Sequence, residues 1–350
     1  MMNEHILVSE IKIGIDLGGT KIELVALHGG NGRELYRHRV PTPNGDYDQT
    51  IDTLKDLVLQ AEQTLGSTAS VGMGIPGIVS RSTGLVKNCN ATYIIGKALD
   101  KDLASALNRP IRIENDANCF ALSEATDGAA AGAEVVFGVI IGTGCGGGVV
   151  VNQQVVRGVN LIGGEWGHNP MPWPVLASED RSLGTEEWPG PACYCGRTGC
   201  IERFLSGPGF RDDYQRVTGL NHSTHDIIAL ANDGDAGASA ALDRYCERLA
   251  KGLAHMINIL DPNVIVLGGG MSNVDALYTE VPKRWGRYIF SDTIDTQLKP
   301  PRYGDSSGVR GAAHLWPTVA ATATTLSAVP ATDTADLQIE SSDLSKAATR

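Results

Sequence analysis

The chain has 350 residues, of which 42% are apolar and 20% charged, and its formal net charge is −11. That length and apolar content suit about two domains with sizeable cores, and the acidic balance leaves no basic surface for nucleic acid or an anionic membrane. No apolar run reaches the ~18 residues of a membrane span and the N-terminus lacks a leader's basic and long apolar regions, so the chain reads as a cytosolic protein acting on a small solute.

Taken in chain order, Ile11 to Leu17 and Ile22 to Leu27 are apolar runs of strand length. Gly18, Gly19 and Thr20 lie between them. Glycine permits a positive φ or a close backbone approach to a ligand, and consecutive amides in such a turn can cradle phosphate oxygens. In that setting Asp16 would hold a magnesium-bound water, Thr20 would meet a phosphate and Lys21 would add positive charge. Alone, a glycine hairpin is as readily a plain turn, and a lysine at a strand start is often simply solvated. Tyr47 to Leu65 is amphipathic with helical period, and the alternation of strand-like and helix-like segments indicates a mixed α/β architecture.

Ile111 and Ile113 read as a strand that runs into Asn115-Asp116-Ala117-Asn118 and then a helix through Ala121 and Leu122. An aspartate there is either an N-cap or a base. Its amide neighbours Asn115 and Asn118, suited to sugar hydroxyls, favour a base that takes the proton of a hydroxyl attacking a γ-phosphate. The Gly/Ala-rich stretch Asp127 to Ala133 is the candidate domain boundary. Val139 to Val151 repeats the first hairpin pattern around Gly142, Thr143, Gly144 and Gly146, and two such hairpins would grip one nucleotide from opposite sides.

Farther on, His168 ends Gly-Gly-Glu-Trp-Gly-His, and Cys193, Cys195 and Cys200 fall within eight residues. One histidine and three thiolates can close a tetrahedral zinc site. A metal joining these segments would hold Glu165 and Glu202 over one pocket. Cys89, Cys119, Cys145 and Cys246 are scattered and read as small buried hydrophobes. Asp243 to Leu260 places Tyr245, Leu249, Leu253, Met256, Ile257 and Leu260 on one core-facing stripe. In Val264 to Ser272 the glycines Gly268 and Gly269 either let an adenine ring lie on bare backbone or make a strand-to-helix turn. No P-loop or dinucleotide-binding glycine motif occurs in the required context. After Pro317 the Ala, Thr, Ser and Asp content implies a disordered tail, 318–350.

Asp16-Leu-Gly-Gly-Thr-Lys, Gly74-Ile-Pro-Gly, Glu114-Asn-Asp-Ala-Asn, Gly142-Thr-Gly-Cys-Gly, Gly164-Glu-Trp-Gly-His, Cys193-Tyr-Cys-Gly-Arg-Thr-Gly-Cys-Ile-Glu and Leu267-Gly-Gly-Gly together resemble the ROK family of sugar kinases and sugar-sensing repressors, from Ile11 to Pro317. The resemblance implies an α/β, actin-like ATPase (ribonuclease H-like) fold with two domains around a central cleft. Residues 11–126 plus 305–317 would form the first domain and 127–304 the second, which carries the zinc site. The last helix, near Val309 to Trp316, would return to the first domain.

Carried over residue by residue, it makes Asp116 the catalytic base and Gly77, Asn115, Asp116, Glu165, His168 and Glu202 the sugar contacts. His168, Cys193, Cys195 and Cys200 would bind Zn²⁺. Asp16, Gly18, Gly19, Thr20, Lys21, Gly142, Thr143, Gly144, Gly146, Gly268 and Gly269 would hold ATP with Mg²⁺. The implied partners are a hexose, ATP and a second copy of the chain. One departure is the 24-residue spacer between His168 and Cys193, which puts the pocket rim and sugar choice in question. The longer stretches look most like bacterial fructokinases of the manno-fructokinase type, so the expected reaction is ATP-dependent phosphorylation of D-fructose to fructose 6-phosphate. An N-acetylhexosamine kinase or glucokinase of the same family shares every motif and is the alternative. A repressor needs an N-terminal helix-turn-helix, for which the ten residues before Ile11 are too few.

Overall fold

The computed structural model describes residues 10–43, 45–87, 89, 91–176 and 185–317. The expected tail, 318–350, lies outside them. The first part contains β1 (Ile11–Leu17), β2 (Lys21–His28), β3 (Glu34–Pro41), α1 (Tyr47–Leu65), β4 (Ser70–Ile75), the short pair β5 (Ile78–Val79) and β6 (Val86–Lys87), α2 (Leu99–Leu107), β7 (Ile111–Asn115) and α3 (Asp116–Thr126). Then follow β8 (Val135–Ile141), β9 (Cys145–Val151), β10 (Gln154–Val155), α4 (Glu202–Leu205), α5 (Gly207–Thr218), α6 (Thr224–Asn232), α7 (Ala236–Leu260), β11 (Val264–Gly268), α8 (Ala276–Trp285), β12 (Gln297–Lys299) and α9 (Ser307–His314).

Two five-stranded sheets are built alike, in the orders β3-β2-β1-β4-β7 and β10-β9-β8-β11-β12. In each, an antiparallel hairpin carries a third antiparallel strand on one side and two parallel strands on the other. The weak repeat in the sequence is therefore one topology used twice. Apolar runs such as Ile11–Leu17 suit strands covered on both faces, and β1 is buried almost throughout. One cover is α1, whose Leu54, Leu57, Val58 and Ala61 join Ile13, Ile15 and Met73 in a core. The other is α9. Its backbone lies so close that a Cβ at Gly14 would stand 2.0 Å from the Val309 carbonyl oxygen, and one at Gly72 1.9 Å from that of Ala312. Only glycine permits that approach.

Between the sheets, α3 is buried from Ala117 to Ala125 and packs against α9, β8 and β9. The stripe expected from Asp243 belongs to a longer helix, α7, which starts where Asp235 caps it through Ala238 N at 2.8 Å. Tyr245, Leu249, Leu253, Met256 and Ile257 are buried as expected, while Leu260 is half-buried. Cys89, Cys119, Cys145 and Cys246 are also buried. Among the described residues no helix is long and apolar enough to cross a membrane.

The long spacer is fastened to α7 by charge. Glu187 is buried and accepts from Arg248 Nε and Lys251 Nζ, each at 2.8 Å, and from Val175 N at 2.9 Å. Arg248 also reaches Asp213 at 2.8 Å, and Arg244 binds the same carboxylate. Buried charges persist when paired and hydrogen-bonded in this way.

Candidate active site

Because β1, β4 and β7 run parallel, their C-terminal ends emerge at one edge, where open α/β sheets bind ligands. β7 ends at Asn115, whose Oδ1 accepts from Ala117 N at 2.9 Å and caps α3. Capping thus falls to Asn115, and Asp116 occupies the first helical position with its Oδ1 2.8 Å from Ala117 N. Burial pushes the Asp116 carboxyl up to about 6 against the pull of the Ala117 amide, and the charge of Glu165 adds to the rise. Asp16, at the end of β1, is likewise raised to about 6 by burial and by the charge of Asp116. The two aspartates therefore share one electrostatic environment, although 100 positions separate them in the chain.

The first glycine hairpin follows β1 directly, and the second approaches the start of α3, where a Cβ on Gly146 would stand 3.7 Å from that of Ala117. The first is closed by Gly18 N on Lys21 O at 3.0 Å and fixed by Thr42 Oγ1 on Gly18 O at 2.7 Å, with Gly19, Thr20 and Lys21 exposed. The second is closed by Gly142 N on Gly144 O at 3.0 Å, and the Gly142 carbonyl accepts from Gly207 N at 2.8 Å. Thr143 is exposed, while Gly144 and Gly146 are half-buried. Gly269, with φ +78°, lies against this hairpin, since a Cβ there would meet Ile141 O at 2.5 Å. At Gly268 a Cβ would strike the Phe120 ring at 2.6 Å. The absent side chain at Gly268 is thus used for helix packing.

The Gly-Gly-Glu-Trp-Gly-His segment is pressed onto β9. Gly164 has φ +92° and a Cβ on it would stand 2.4 Å from Gly147 O; one on Gly167 would be 2.0 Å from Cys145 O. Trp166 is buried and donates to Gly146 O at 2.9 Å. The intervening Glu165 is exposed and His168 is half-buried. His168 Nδ1 is 3.7 Å from Cys193 Sγ, Cys195 Sγ is 3.6 Å from Cys200 Sγ, and the four ligand atoms lie within 4.8 Å of one another. Zinc–sulfur bonds of ~2.3 Å in a tetrahedron place sulfurs roughly 3.7 Å apart, so this donor set fits zinc. His168 Nε2 meets the Tyr194 hydroxyl at 3.0 Å. Glu202, at the start of α4, accepts from Cys145 N at 3.1 Å and so joins the thiol loop to the second hairpin.

Gly77, Asn115 and Glu165 line one small cavity of about 40 Å³, together with Asn118, Lys87 and residues 160–163. Asn118 is buried, and its Oδ1 has no hydrogen-bond partner among the described residues. A buried amide oxygen without a partner is costly and suits a ligand donor. His168 and Glu202 lie on the thiol side and are not among the cavity walls. A wider cleft of about 880 Å³, between Ala130–Ala133 and Ile289–Gln297, adjoins the opposite end of β11 and holds none of these residues.

Three features escaped sequence reasoning. Tyr194 could have been found, because it stands between two thiols of the candidate metal site. The pairing of Glu114 with Arg157 and the Glu187 cluster left no periodicity or spacing to detect.

Residues 12–319 match the profile of the ROK family. The chain is 41% identical over 302 residues to the N-acetyl-D-glucosamine kinase of Yersinia enterocolitica, covering 86% of this chain and 98% of the relative. It resembles the ROK hexokinase of Thermus thermophilus with a TM-score of 0.75 and 31% identity, over 87% and 97% of the two chains. The Streptomyces griseus ROK glucokinase in complex with glucose and AMPPNP is similar at a TM-score of 0.67 and 25% identity, over 87% and 99%. The duplicated sheets are those of the actin-like ATPase (ribonuclease H-like) fold, and the chain belongs to the ROK family.

Proposed function

We propose that this ROK-family sugar kinase transfers the γ-phosphoryl group of ATP to the primary hydroxyl of N-acetyl-D-glucosamine, with Asp116 as general base. D-fructose, the expected substrate, gives way to its stated alternative. Relatives 40–42% identical over 86% of the chain bear the name N-acetyl-D-glucosamine kinase. The stretches behind the fructose expectation, Gly142 to Gly146, Gly164 to Trp173, Asn263 to Asp275 and Gly304 to Ala313, build the second hairpin, the β9 packing, β11 and α9, which belong to the scaffold.

The observation that carries the reading is Asp116. Its capping duty is taken by Asn115, its carboxyl is raised to about 6, and the sugar-type groups Asn115, Asn118 and Glu165 line one cavity beside it. A base with that affinity is largely ionised at neutral pH and still accepts a proton readily. In the reaction the sugar hydroxyl gives its proton to Asp116 as its oxygen bonds to the γ-phosphorus. The bond to the β–γ bridging oxygen breaks and ADP leaves. Asn115, Asn118 and Glu165 orient the sugar hydroxyls, and the amides around Gly18–Lys21 and Gly142–Gly146 face the phosphates. Asp16 would hold a water of a magnesium ion, which would neutralise charge on the phosphates. His168, Cys193, Cys195 and Cys200 would hold zinc and keep Glu165 and Glu202 in place.

A coupled ADP-release assay with Mg²⁺ comparing kcat/KM for N-acetylglucosamine, N-acetylmannosamine, glucose, mannose and fructose tests the proposal. Preference for N-acetylglucosamine supports it. A preference for fructose would restore the earlier substrate with the same chemistry, and no turnover with any hexose would overturn the enzymatic reading.

A further inference from the structure

The segment 156–165 leaves β10 of the second sheet and supplies a wall of the small cavity through Leu161 and Ile162. Its Arg157 crosses to the first sheet and ion-pairs through Nε with Oε2 of Glu114, near the end of β7. Glu114 is only 5% exposed. Its other oxygen accepts from Asn115 N and Asn118 Nδ2, each at 3.0 Å. One buried carboxylate therefore holds both asparagines of the cavity with one oxygen and the opposite wall with the other. A second strap joins the same parts, Arg81 Nη1 on Val159 O at 3.3 Å, from the turn between β5 and β6.

We propose that Arg157 and Glu114 form a latch across the small cavity, and that Glu114 is a positioning residue for Asn115 and Asn118. The inference rests on reading the cavity as the sugar site. Swinging the loop away would leave a buried carboxylate facing only neutral donors, which is strongly unfavourable. A sugar spanning Asn118 and Glu165 favours the same closed arrangement, so sugar binding and latch formation reinforce each other.

The test uses the full-length protein and the variants Arg157→Gln, Glu114→Gln, their double and Arg157→Lys. Steady-state kinetics are read for N-acetylglucosamine and ATP, with backbone hydrogen exchange of residues 156–165. The expected result for Arg157→Gln is a sugar KM raised ~10-fold, with kcat and the ATP KM within about twofold, and faster exchange of the loop. Glu114→Gln should raise the sugar KM similarly. The double variant should be no worse than Glu114→Gln alone, because both changes break the same ion pair, and Arg157→Lys should recover part of the loss. Unchanged KM and exchange in Arg157→Gln, additive losses in the double, or a fall in kcat without a change in KM would overturn the latch. Exchange needs no turnover. If no hexose is phosphorylated, the proposed function fails while the ligand-free exchange of Arg157→Gln still decides the latch, faster exchange upholding it and equal exchange overturning it.

Discussion

Two groups of acids in this molecule are handled in opposite ways. At Glu187 and Asp213, burial alone would raise the carboxyls, but Lys251, the Val175 amide and Arg248 hold Glu187 below the usual carboxylate range, and Arg248 with Arg244 does the same for Asp213. At Asp16 and Asp116 burial prevails and both rise to about 6, with a neighbouring carboxylate adding to each. The first group is complete in itself and fastens the long spacer to α7. The second is left short of positive charge, as befits a place that a cationic or proton-giving ligand completes.

The comparison is broken most severely at Asp116. Asp116→Asn should lower kcat by roughly 10²–10⁴-fold without lowering the melting temperature, as steady-state kinetics and a thermal melt of one preparation would show. Next comes Arg248→Met, which leaves Glu187 and Asp213 buried without their main partner. A loss of about 3–5 kcal/mol is expected, read by denaturant unfolding, with kcat per folded molecule nearly unchanged. Emptying the proposed zinc site, by chelation or Cys200→Ser, should abolish stoichiometric metal and raise the sugar KM, and the melting temperature should drop by about 2–4 °C for each kcal/mol lost.

The smallest effect is one of pH, and the two groups give it opposite signs. Asp116 and Asp16 have folded values near 6 against 3.8 for the free residue, so their ionisation opposes folding above that window. As pH falls from 7 to 5 they take up protons and stability rises, by roughly 1 kcal/mol for each carboxylate. Glu187 and Asp213 have lowered folded values. Their stabilisation is present above the ordinary carboxylate range and is lost only as pH falls through those lowered values. Unfolding at pH 7 and pH 5 should show the gain in the wild type and its absence in Asp16→Asn/Asp116→Asn, while kcat/KM of the wild type declines toward tenfold per unit below about pH 6.

How much was legible follows the same division. β1 (Ile11–Leu17) and α1 (Tyr47–Leu65) match the sequence expectation end to end, because apolar period and glycine punctuation are local signals. The thiol cluster was legible from ligand spacing, and the repeat from two similar hairpins. Which of Asn115 and Asp116 caps α3 was not, since both are good caps and only the backbone geometry at the end of β7 assigns the duty. Neither was the clamp on Glu187. Its cations come from α7, more than 60 positions onward, and no local pattern encodes a pair so distant. The sugar was not legible, because the motifs that carry the resemblance belong to the scaffold and the hairpins, and the relatives matched at 40–42% identity bear the name N-acetyl-D-glucosamine kinase.

The seating of α9 on the first sheet has a consequence for how the chain is made. The strand β1 leaves the ribosome well before the helix that fits into the notches at Gly14 and Gly72, which begins at Ser307. At 5–20 residues per second, roughly 15–60 s separate the two. Throughout that interval one apolar face of the nascent first sheet is uncovered, and the cell must keep it from associating with others before the last helix arrives to close it.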